Sequence, residues 1–240
     1  MVTASEPARG CGPARGCGPA GGFWGRLPEP ERELLRLAGH IRDFPPAATM
    51  CVQGDPATHL FVLVSGLVKV ISVTGAGQQA VLALRGRGDV VGEVAGEVTG
   101  YRTATIEVIE PVRSIVVSHR RFAAFLDENP VAARVYRHAL TQRWNDAAES
   151  LRVQSVTSGA QRLARLMLAL ADGYGRSKGG QTAIELPLSQ VELASLVCAS
   201  RATVTRALRK WRQDGVVDTS THRITIINRA ALARIAGLQS

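Results

Sequence analysis

The sequence has few cysteines and no long apolar segment, and both shortages exclude classes of protein. The four cysteines are Cys11, Cys17, Cys51 and Cys198. They form no Cys-x-x-Cys pair and have no histidines at ligand spacing, which argues against a zinc or iron–sulfur site and against a disulfide framework. No apolar run approaches the roughly 20 residues of a membrane-spanning helix, and the N-terminus lacks the apolar core of a signal peptide. We therefore expect a soluble, cytoplasmic protein with no membrane partner.

The motifs of common enzymes are missing as well. The histidines are scattered, and the sequence supplies no nucleophile beside a base, no set of metal ligands and no Walker loop. The closely spaced Gly75 and Gly77 are typical of a hairpin turn. We predict that the protein is not an enzyme and that it uses no metal or cofactor.

Acidic residues are scarce in the last third of the chain. The net charge of the whole chain is +9. Residues 1–156 hold 17 basic and 15 acidic side chains, whereas residues 157–240 hold 12 basic and 5 acidic ones. A basic excess confined to one part predicts contact with a polyanion such as DNA, with a merely solubilising basic surface as the alternative.

The N-terminal residues are rich in proline and glycine. Residues 7–12 and 13–18 repeat the hexapeptide Pro-Ala-Arg-Gly-Cys-Gly. Because such a composition buries little apolar surface, we predict a disordered tail over residues 1–26.

The next hundred residues have the pattern of a strand-rich domain. After a short helix over Leu27–Leu37, five β-branched-rich segments predict strands separated by turn residues such as Ser65-Gly66 and Pro111. The segments are Leu60–Val64, Leu67–Val73, Ala80–Leu84, Ala104–Ile109 and Val112–Val117. Many short strands with turns between them predict a sandwich, a roll or a barrel.

A helical pattern follows. A short helix is predicted over Arg120–Glu128 and a long one over Val131–Gln154, which has no internal glycine or proline. The long helix carries an apolar stripe with spacings of four, three and four residues, made of Leu140, Trp144, Ala147 and Leu151. Such a stripe suits either the seam of a dimer or packing on the strand-rich domain.

The last third of the chain predicts a winged helix-turn-helix. Two short helices, Ser189–Val197 and Ser200–Gln213, each begin with a serine that can cap the first turn. The turn at Cys198 separates them, and the predicted strands Val216–Asp218 and Arg223–Ile227 form a wing. A helix over Ala160–Asp172, a Gly/Ser loop over Gly173–Gly180 and a strand over Ala183–Leu186 precede them.

The second of these helices has the chemistry of a DNA-contacting helix. Arg201 and Arg206 could each donate two hydrogen bonds to a guanine in the major groove. Ser200 and Thr203, with the helix N-terminus, suit phosphate oxygens. The predicted DNA-contacting residues are Ser200, Arg201, Ala202, Thr203, Thr205, Arg206 and Arg209. The alternative is a bundle of amphipathic helices with a solvated basic face.

A second cluster of functional residues lies in the strand-rich region. Gly92-Glu93 is followed, nine positions after the glutamate, by Arg102-Thr103. A glycine that lets the backbone approach a ligand, a carboxylate and an Arg–Thr pair suit a cyclic phosphate ester. Arg102 and Thr103 would hold the phosphate, and Glu93 would accept from a ribose 2′-hydroxyl. An ordinary surface Glu–Arg pair is the alternative.

The order of these parts resembles the CRP/FNR family of bacterial transcription regulators over about residues 27–230. The resemblance implies an α+β fold with an N-terminal double-stranded β-roll, a jelly-roll-like cyclic-nucleotide-binding domain, over residues 27–130. A long dimerisation helix over residues 131–156 and a C-terminal winged helix-turn-helix domain over residues 157–240 would follow. It further implies a homodimer that binds a palindromic operator in double-stranded DNA, contacts RNA polymerase and responds to cAMP or cGMP. The implied ligand-binding residues are Gly92, Glu93, Val94, Ala95, Arg102, Thr103 and Asn145.

The sequence departs from the family pattern at several positions. Ala202 replaces a glutamate of the recognition helix, so an acceptor for a cytosine amino group is missing. Cys198 replaces the usual glycine of the turn, which predicts strain or an altered turn. Ala147 and Ala148 stand where the family presents hydroxyls to adenine, with Asn145 as the nearest polar substitute. We therefore expect retained phosphate and ribose recognition and changed base recognition.

The leading hypothesis is a dimeric, sequence-specific DNA-binding regulator controlled by a cyclic nucleotide. One alternative is the same DNA binder with a degenerate pocket, either constitutive or sensing another ligand. Another is a nucleotide-binding scaffold that ignores DNA, which the capped, arginine-rich helix disfavours.

Overall fold

The first residues that the structure describes belong to a short helix that the sequence pattern does not predict. The computed structural model describes residues 22–75, 77, 79–94, 100–220 and 223–238, so the hexapeptide repeats lie outside the described residues. The prediction of a disordered tail is wrong for residues 23–26, which form helix α1 (Phe23–Arg26). Phe23 and Trp24 are 1% and 3% exposed. Full burial of such side chains contributes roughly 1.5–3 kcal/mol each, which offsets the cost of ordering the segment.

Strands of one antiparallel sheet form most of the domain that follows, here called the β-domain (residues 22–128). Helix α2 (Glu29–Ala38) precedes strands β1 (His40–Phe44), β2 (Thr49–Cys51), β3 (His59–Val73), β4 (Gln79–Gly86), β5 (Val90–Val91) and β6 (Thr105–Ser118). The sheet order is β1-β6-β3-β4, with β2 paired to β6 and β5 paired to β3. Helix α3 (His119–Glu128) closes the domain.

Two of the predicted turns are bends within long strands. β3 continues through Ser65-Gly66 and β6 continues through Pro111, so each of these two long strands contains two of the predicted strands. Gly66 has a φ of 90°, and a Cβ there would meet the carbonyl oxygen of Pro111 at 2.3 Å. The two strands therefore bend together and stay paired on both sides of the bend. The sequence signal of a turn does not distinguish such a bend from a reversal of the chain.

The predicted long helix is confirmed as α4 (Pro130–Val156). Near its start, Tyr136 packs edge-on against Phe23 and Phe122, with ring centroids 5.5 and 5.1 Å away. Further along, Trp144 is 76% exposed and Leu151 is 68% exposed. The apolar stripe therefore does not pack on the β-domain of its own chain. No helix in the described part of the chain is long and apolar enough to cross a membrane.

The winged helix-turn-helix is confirmed in residues 159–238, here called the C-terminal domain. Its elements are α5 (Gly159–Tyr174), β7 (Arg176–Lys178), β8 (Gln181–Ile184), α6 (Gln190–Leu196), α7 (Arg201–Gln213), β9 (Val217–Ser220), β10 (Arg223–Ile226) and α8 (Arg229–Ile235). The four strands form a sheet in the order β7-β8-β10-β9. The predicted Gly/Ser loop contains β7, and α8, which buries Leu232, was not predicted.

The two domains share an apolar contact surface, to which β3, β4 and β6 of the β-domain contribute. Helix α6 packs on β4, and apolar residues of both domains share a single buried cluster. Beside it, the Lys69 Nζ lies 2.7 Å from a carboxylate oxygen of Glu192 and 2.8 Å from one of Glu107. The first helix of the helix-turn-helix is thus held against the β-domain by apolar packing and an ion pair.

Candidate functional sites

The β-domain contains a cavity of about 270 Å³ where the sheet faces the long helix. It is lined by Gly92, Glu93, Val94, Arg102 and Thr103, five of the predicted ligand-binding residues. Ala95 lies outside the described residues. Asn145 is exposed and is not among the described residues that line the cavity in the single chain.

Arg102 is the best-buried charged side chain of this cavity, at 4% exposure. Its guanidinium carbon lies 5.5 Å from the centroid of the Phe61 ring, and its Nη1 donates to the carbonyl oxygen of Gly92 at 3.2 Å. Its buried Nη2 has no hydrogen-bond partner within the described part of the chain. A buried, incompletely satisfied guanidinium facing a cavity is suited to an anionic ligand.

Gly92 shapes the loop that approaches Arg102. Its φ of 81° lies in the left-handed region, which glycine adopts without the steric cost that a Cβ imposes. The following Glu93 points inward with its side chain 12% exposed. Local backbone geometry therefore places a carboxylate and a guanidinium on the same cavity.

The long helix adds Arg143, a residue that the sequence analysis missed. Arg143 Nη1 donates to Glu93 at 2.7 Å, while Nη2 donates to the Val90 carbonyl oxygen and lies 3.4 Å from Asp89. Its signal in the sequence was an arginine one helical turn before Ala147, on the same face of the helix. The pair couples α4 directly to the predicted ribose-binding carboxylate.

Burial changes the pKa values of the charged groups at this pair. Burial raises the pKa of the Asp89 carboxyl, although Arg143 and Arg85 both oppose the rise. Burial alone would lower the pKa of the Arg143 guanidinium, but the carboxylates of Glu93 and Asp89 outweigh this effect and raise that pKa. Arg143 therefore stays positively charged beside the cavity and holds Glu93 in place.

Helix α7 presents the second candidate site. Buried Val204, Leu208 and Trp211 fix one face of the helix in the C-terminal domain. The opposite face exposes four of the predicted DNA-contacting residues, Arg201, Ala202, Arg206 and Arg209. A helix that exposes arginines at its first turns can enter a DNA major groove.

The predicted polar contacts of α7 are partly used within the protein. Ser200 caps the helix by accepting from the Thr203 N–H at 3.1 Å, and the two hydroxyl oxygens are 2.9 Å apart. The Thr205 hydroxyl donates to the side-chain oxygen of Gln190 at 2.6 Å, which ties α7 to α6. Thr205 is therefore placed as a contact between the two helices, and its role as a DNA contact stays a prediction.

The turn between the two helices is held by Arg162. Cys198 adopts a φ of 47°, as the replacement of a glycine predicted. Arg162 of α5 donates to the carbonyl oxygens of Val197 at 2.7 Å and Cys198 at 2.9 Å, and also to that of Thr157. One side chain thus joins the end of the long helix to the helix-turn-helix.

Comparison with known proteins agrees with this architecture. A family model described as a cyclic nucleotide-binding domain matches residues 41–129, and one described as a Crp-like helix-turn-helix domain matches residues 161–235. The CRP-like cAMP-activated global transcriptional regulator of Mycobacterium tuberculosis is 28% identical over 194 residues, which cover 81% of this chain and 87% of that protein. The Cyclic AMP receptor protein of Thermus thermophilus is 28% identical over 218 residues, which cover 89% of this chain and 95% of that protein.

A solved structure shares the fold at lower identity. The c-di-GMP responsive global regulator CLP of Xanthomonas campestris matches with a TM-score of 0.72 at 22% identity, covering 83% of this chain and 99% of that one. Together with the matched domains, this likeness confirms the predicted fold class.

Proposed function

The chain belongs to the CRP/FNR family of transcription regulators, and we propose that it is a homodimer whose binding to specific DNA sequences is controlled by a cyclic nucleotide in the β-domain cavity. The observation that carries the ligand part of the proposal is the buried Arg102, whose Nη2 has no partner within the described residues. A cyclic phosphate placed there would receive charge-assisted hydrogen bonds from that guanidinium.

Different residues of the cavity would bind different parts of the ligand. Arg102 would neutralise the cyclic phosphate, with Thr103 and the backbone at Gly92 completing the anion site. Glu93, oriented by Arg143, would accept a hydrogen bond from the ribose 2′-hydroxyl. The relatives respond to different ligands by name, cAMP and c-di-GMP. A cavity of about 270 Å³ is near the lower limit of about 300–1,000 Å³ typical of small-molecule pockets and favours a mononucleotide.

Dimerisation is supported by the exposed stripe on α4. Leu140, Trp144 and Leu151 are exposed along one stripe of the helix. Exposed apolar residues at heptad-like spacing are suited to pairing with the same helix of a second copy. Such a pair would present two copies of α7, which bind successive major grooves when their centres are about 34 Å apart.

Control of DNA binding would follow from a shift between dimer arrangements. Arg143 connects the cavity to α4, and Arg162 connects the end of α4 to the turn before α7. A ligand that binds one arrangement more tightly than the other shifts the population towards it. The bound arrangement would set the spacing of the two α7 helices.

The alanines of α4 favour a second candidate function. Ala147 and Ala148 have no hydroxyl to offer a base, and neither is among the described residues that line the cavity. A regulator of the same family that binds DNA constitutively, or senses another ligand, would need no such hydroxyl.

Selection of bound duplexes from random DNA separates these functions. The full chain is incubated with the library alone and with cAMP, cGMP or c-di-GMP, and isothermal calorimetry is run with each nucleotide. A palindromic site enriched only with one cyclic mononucleotide, which also gives binding heat, supports the proposal. Enrichment that no nucleotide alters, without binding heat, would replace it by the constitutive function. No enriched sequence under any condition would reject sequence-specific DNA binding.

A further inference from the structure

One face of the β-domain sheet lines the cavity. Val70 of β3 pairs with Ala83 of β4 and with Ile106 of β6, and all three residues line the cavity. These three residues are here called the cavity row. Because directly paired residues share one face of a sheet, a ligand in the cavity would lie against this row.

The next cross-strand row along the same three strands faces the C-terminal domain. Lys69 of β3 pairs with Leu84 of β4 and with Glu107 of β6. Leu84 belongs to the buried apolar cluster that both domains share, and the Lys69 Nζ lies 2.7 Å from Glu192 of α6. Since successive residues of a strand point to opposite faces, a single layer of sheet separates the cavity from the first helix of the helix-turn-helix.

Lys69 makes the polar part of this contact and is sensitive to the relative position of the two domains. Its side chain is 18% exposed and that of Glu192 is 20% exposed. The same Nζ lies 2.8 Å from Glu107, so one ammonium group bridges a carboxylate of each domain. A displacement of about 1 Å would lengthen the contact with Glu192 beyond the usual hydrogen-bond range of about 2.7–3.2 Å.

Glu192 is connected to the DNA-contacting helix by short contacts. It completes the capping box of α6 by accepting from the Ser189 N–H at 2.7 Å. In the same turn, the Gln190 side chain accepts from the Thr205 hydroxyl of α7 at 2.6 Å. Arg206 of α7 remains exposed in this arrangement. The contact with the β-domain therefore orients α7 without covering its exposed arginine.

We propose, on the basis that a cyclic nucleotide binds in the cavity, that the Lys69–Glu192 pair couples the cavity to the DNA-binding helices within one subunit. Occupancy of the cavity would displace the cavity row, and Lys69, the neighbour of Val70 in β3, would transmit that displacement to α6. This route crosses the sheet, whereas the route through Arg143 follows the long helix.

The coupling between nucleotide and DNA in the full-length protein tests this assignment. The affinity for the selected palindromic duplex is measured alone, with cAMP and with cGMP, and the coupling ratio compares the affinities with and without nucleotide. We expect a ratio of at least about tenfold for one nucleotide in the wild type, and below about threefold in Lys69→Met. Calorimetry should show that Lys69→Met still binds that nucleotide.

A second variant and a control isolate the ion pair. Glu192→Gln removes the charge but keeps a residue that can complete the capping box, so it should lower the ratio without loss of the helix cap. Arg113→Met removes an exposed pair with Asp43 of the edge strand β1 and should retain the ratio. Hydrogen exchange of α6 and β4 in the nucleotide-free protein should be faster in Lys69→Met than in the wild type, since the domain contact is weakened.

Each other outcome overturns a defined claim. A wild-type ratio that survives in Lys69→Met assigns control to α4 alone, and faster exchange with an unchanged ratio makes the pair merely structural. Loss of nucleotide binding in Lys69→Met would mean that Lys69 acts on the ligand and not on the coupling. A ratio lost in Lys69→Met but unchanged in Glu192→Gln rejects Glu192 as the partner. If neither nucleotide alters DNA binding by the wild type, the proposed nucleotide control itself is wrong, and the coupling role with it.

Discussion

The guanidinium of Arg102 lies where a side chain on Gly92 would need to be. A Cβ built on Gly92 would stand 2.5 Å from Arg102 Nη1, closer than real Cβ contacts allow. The absence of a side chain on Gly92 thus makes room for the guanidinium of Arg102 in the cavity.

Gly92→Ala should therefore lower ligand affinity at least tenfold. The variant must displace Arg102 and hold alanine at a φ of 81°, which costs about 1–2 kcal/mol of backbone strain. Calorimetry with cGMP and cAMP measures the first effect and thermal unfolding the second. Gly77→Ala is the matched control, because Gly77 has a φ of 76° but its Cβ would meet nothing within 4 Å. Equal ligand affinities for both variants would contradict the role given to Gly92.

Trp144→Glu should convert the proposed dimer into a monomer without unfolding it. The side chain is 76% exposed in the single chain, so the substitution leaves the fold intact but places a charge in the apolar seam. Sedimentation velocity should show at least about a tenfold weaker dimer, with a parallel loss of affinity for a palindromic site. Leu37→Glu, at a position 80% exposed on α2, controls for added charge and should remain dimeric. If the wild-type protein is a monomer in solution, the proposed dimer interface along α4 is wrong.

Arg206→Ala should cost about 1–3 kcal/mol at one base pair of each half-site. Arg206 is exposed on α7, where its guanidinium can donate to O6 and N7 of a guanine. Binding measurements with every single-base variant of the selected site locate the change. Arg212→Ala, exposed in the last turn of the same helix, should leave the base preference unaltered. If Arg206→Ala weakens all sequences equally, the residue contacts phosphate only.

Cys198→Gly should stabilise the protein. Cys198 has a φ of 47°, which costs a non-glycine residue about 1–2 kcal/mol. Glycine removes that cost but adds about 0.4–1 kcal/mol of unfolded-state entropy, so the net gain should be roughly 0.5–1 kcal/mol. Chemical denaturation measures it. Cys198→Ala also removes the thiol but keeps the backbone cost, so it should show no such gain; an equal gain in both variants would implicate the thiol.

Lys69→Met should weaken the contact between the two domains in a pH-dependent manner. Burial alone would raise the pKa of Glu192, but hydrogen bonds from Lys69 and Ser189 outweigh it and lower the pKa. The depressed pKa means that this stabilisation is present above the ordinary glutamate value of about 4.3 and is lost as the pH falls through the folded-state value.

Denaturation of the wild type and Lys69→Met between pH 3 and 7 tests this dependence. We expect a difference in the free energy of unfolding of roughly 1–3 kcal/mol near pH 7 that diminishes at acid pH. Lys210→Met is the control, because its pair with Asp214 is exposed at 73% and 46% and should contribute little. A difference that is constant with pH would exclude the ion pair as its source.

The helices and strands of the C-terminal domain were largely predictable because their signals are local. The serines at positions 189 and 200 cap α6 and α7 as expected, and the spacing of Val204, Leu208 and Trp211 predicted the buried face. Short motifs also predicted part of the cavity lining, since Gly92-Glu93 and Arg102-Thr103 stand out in the sequence and all four residues line it.

The sequence by itself determined which residues carry charge, which cap helices and where the periodicity changes from strand to helix. Only the tertiary structure decided that β3 and β6 bend rather than turn, because their paired residues lie far apart in the chain, from Ile71 with Thr105 to His59 with Ser118. It also decided that Phe23 and Trp24 are buried, that Arg143 joins Glu93 across 50 residues, and that Arg85 lines the cavity. Each of these depends on which distant surface covers a side chain, and that follows from packing rather than from local sequence.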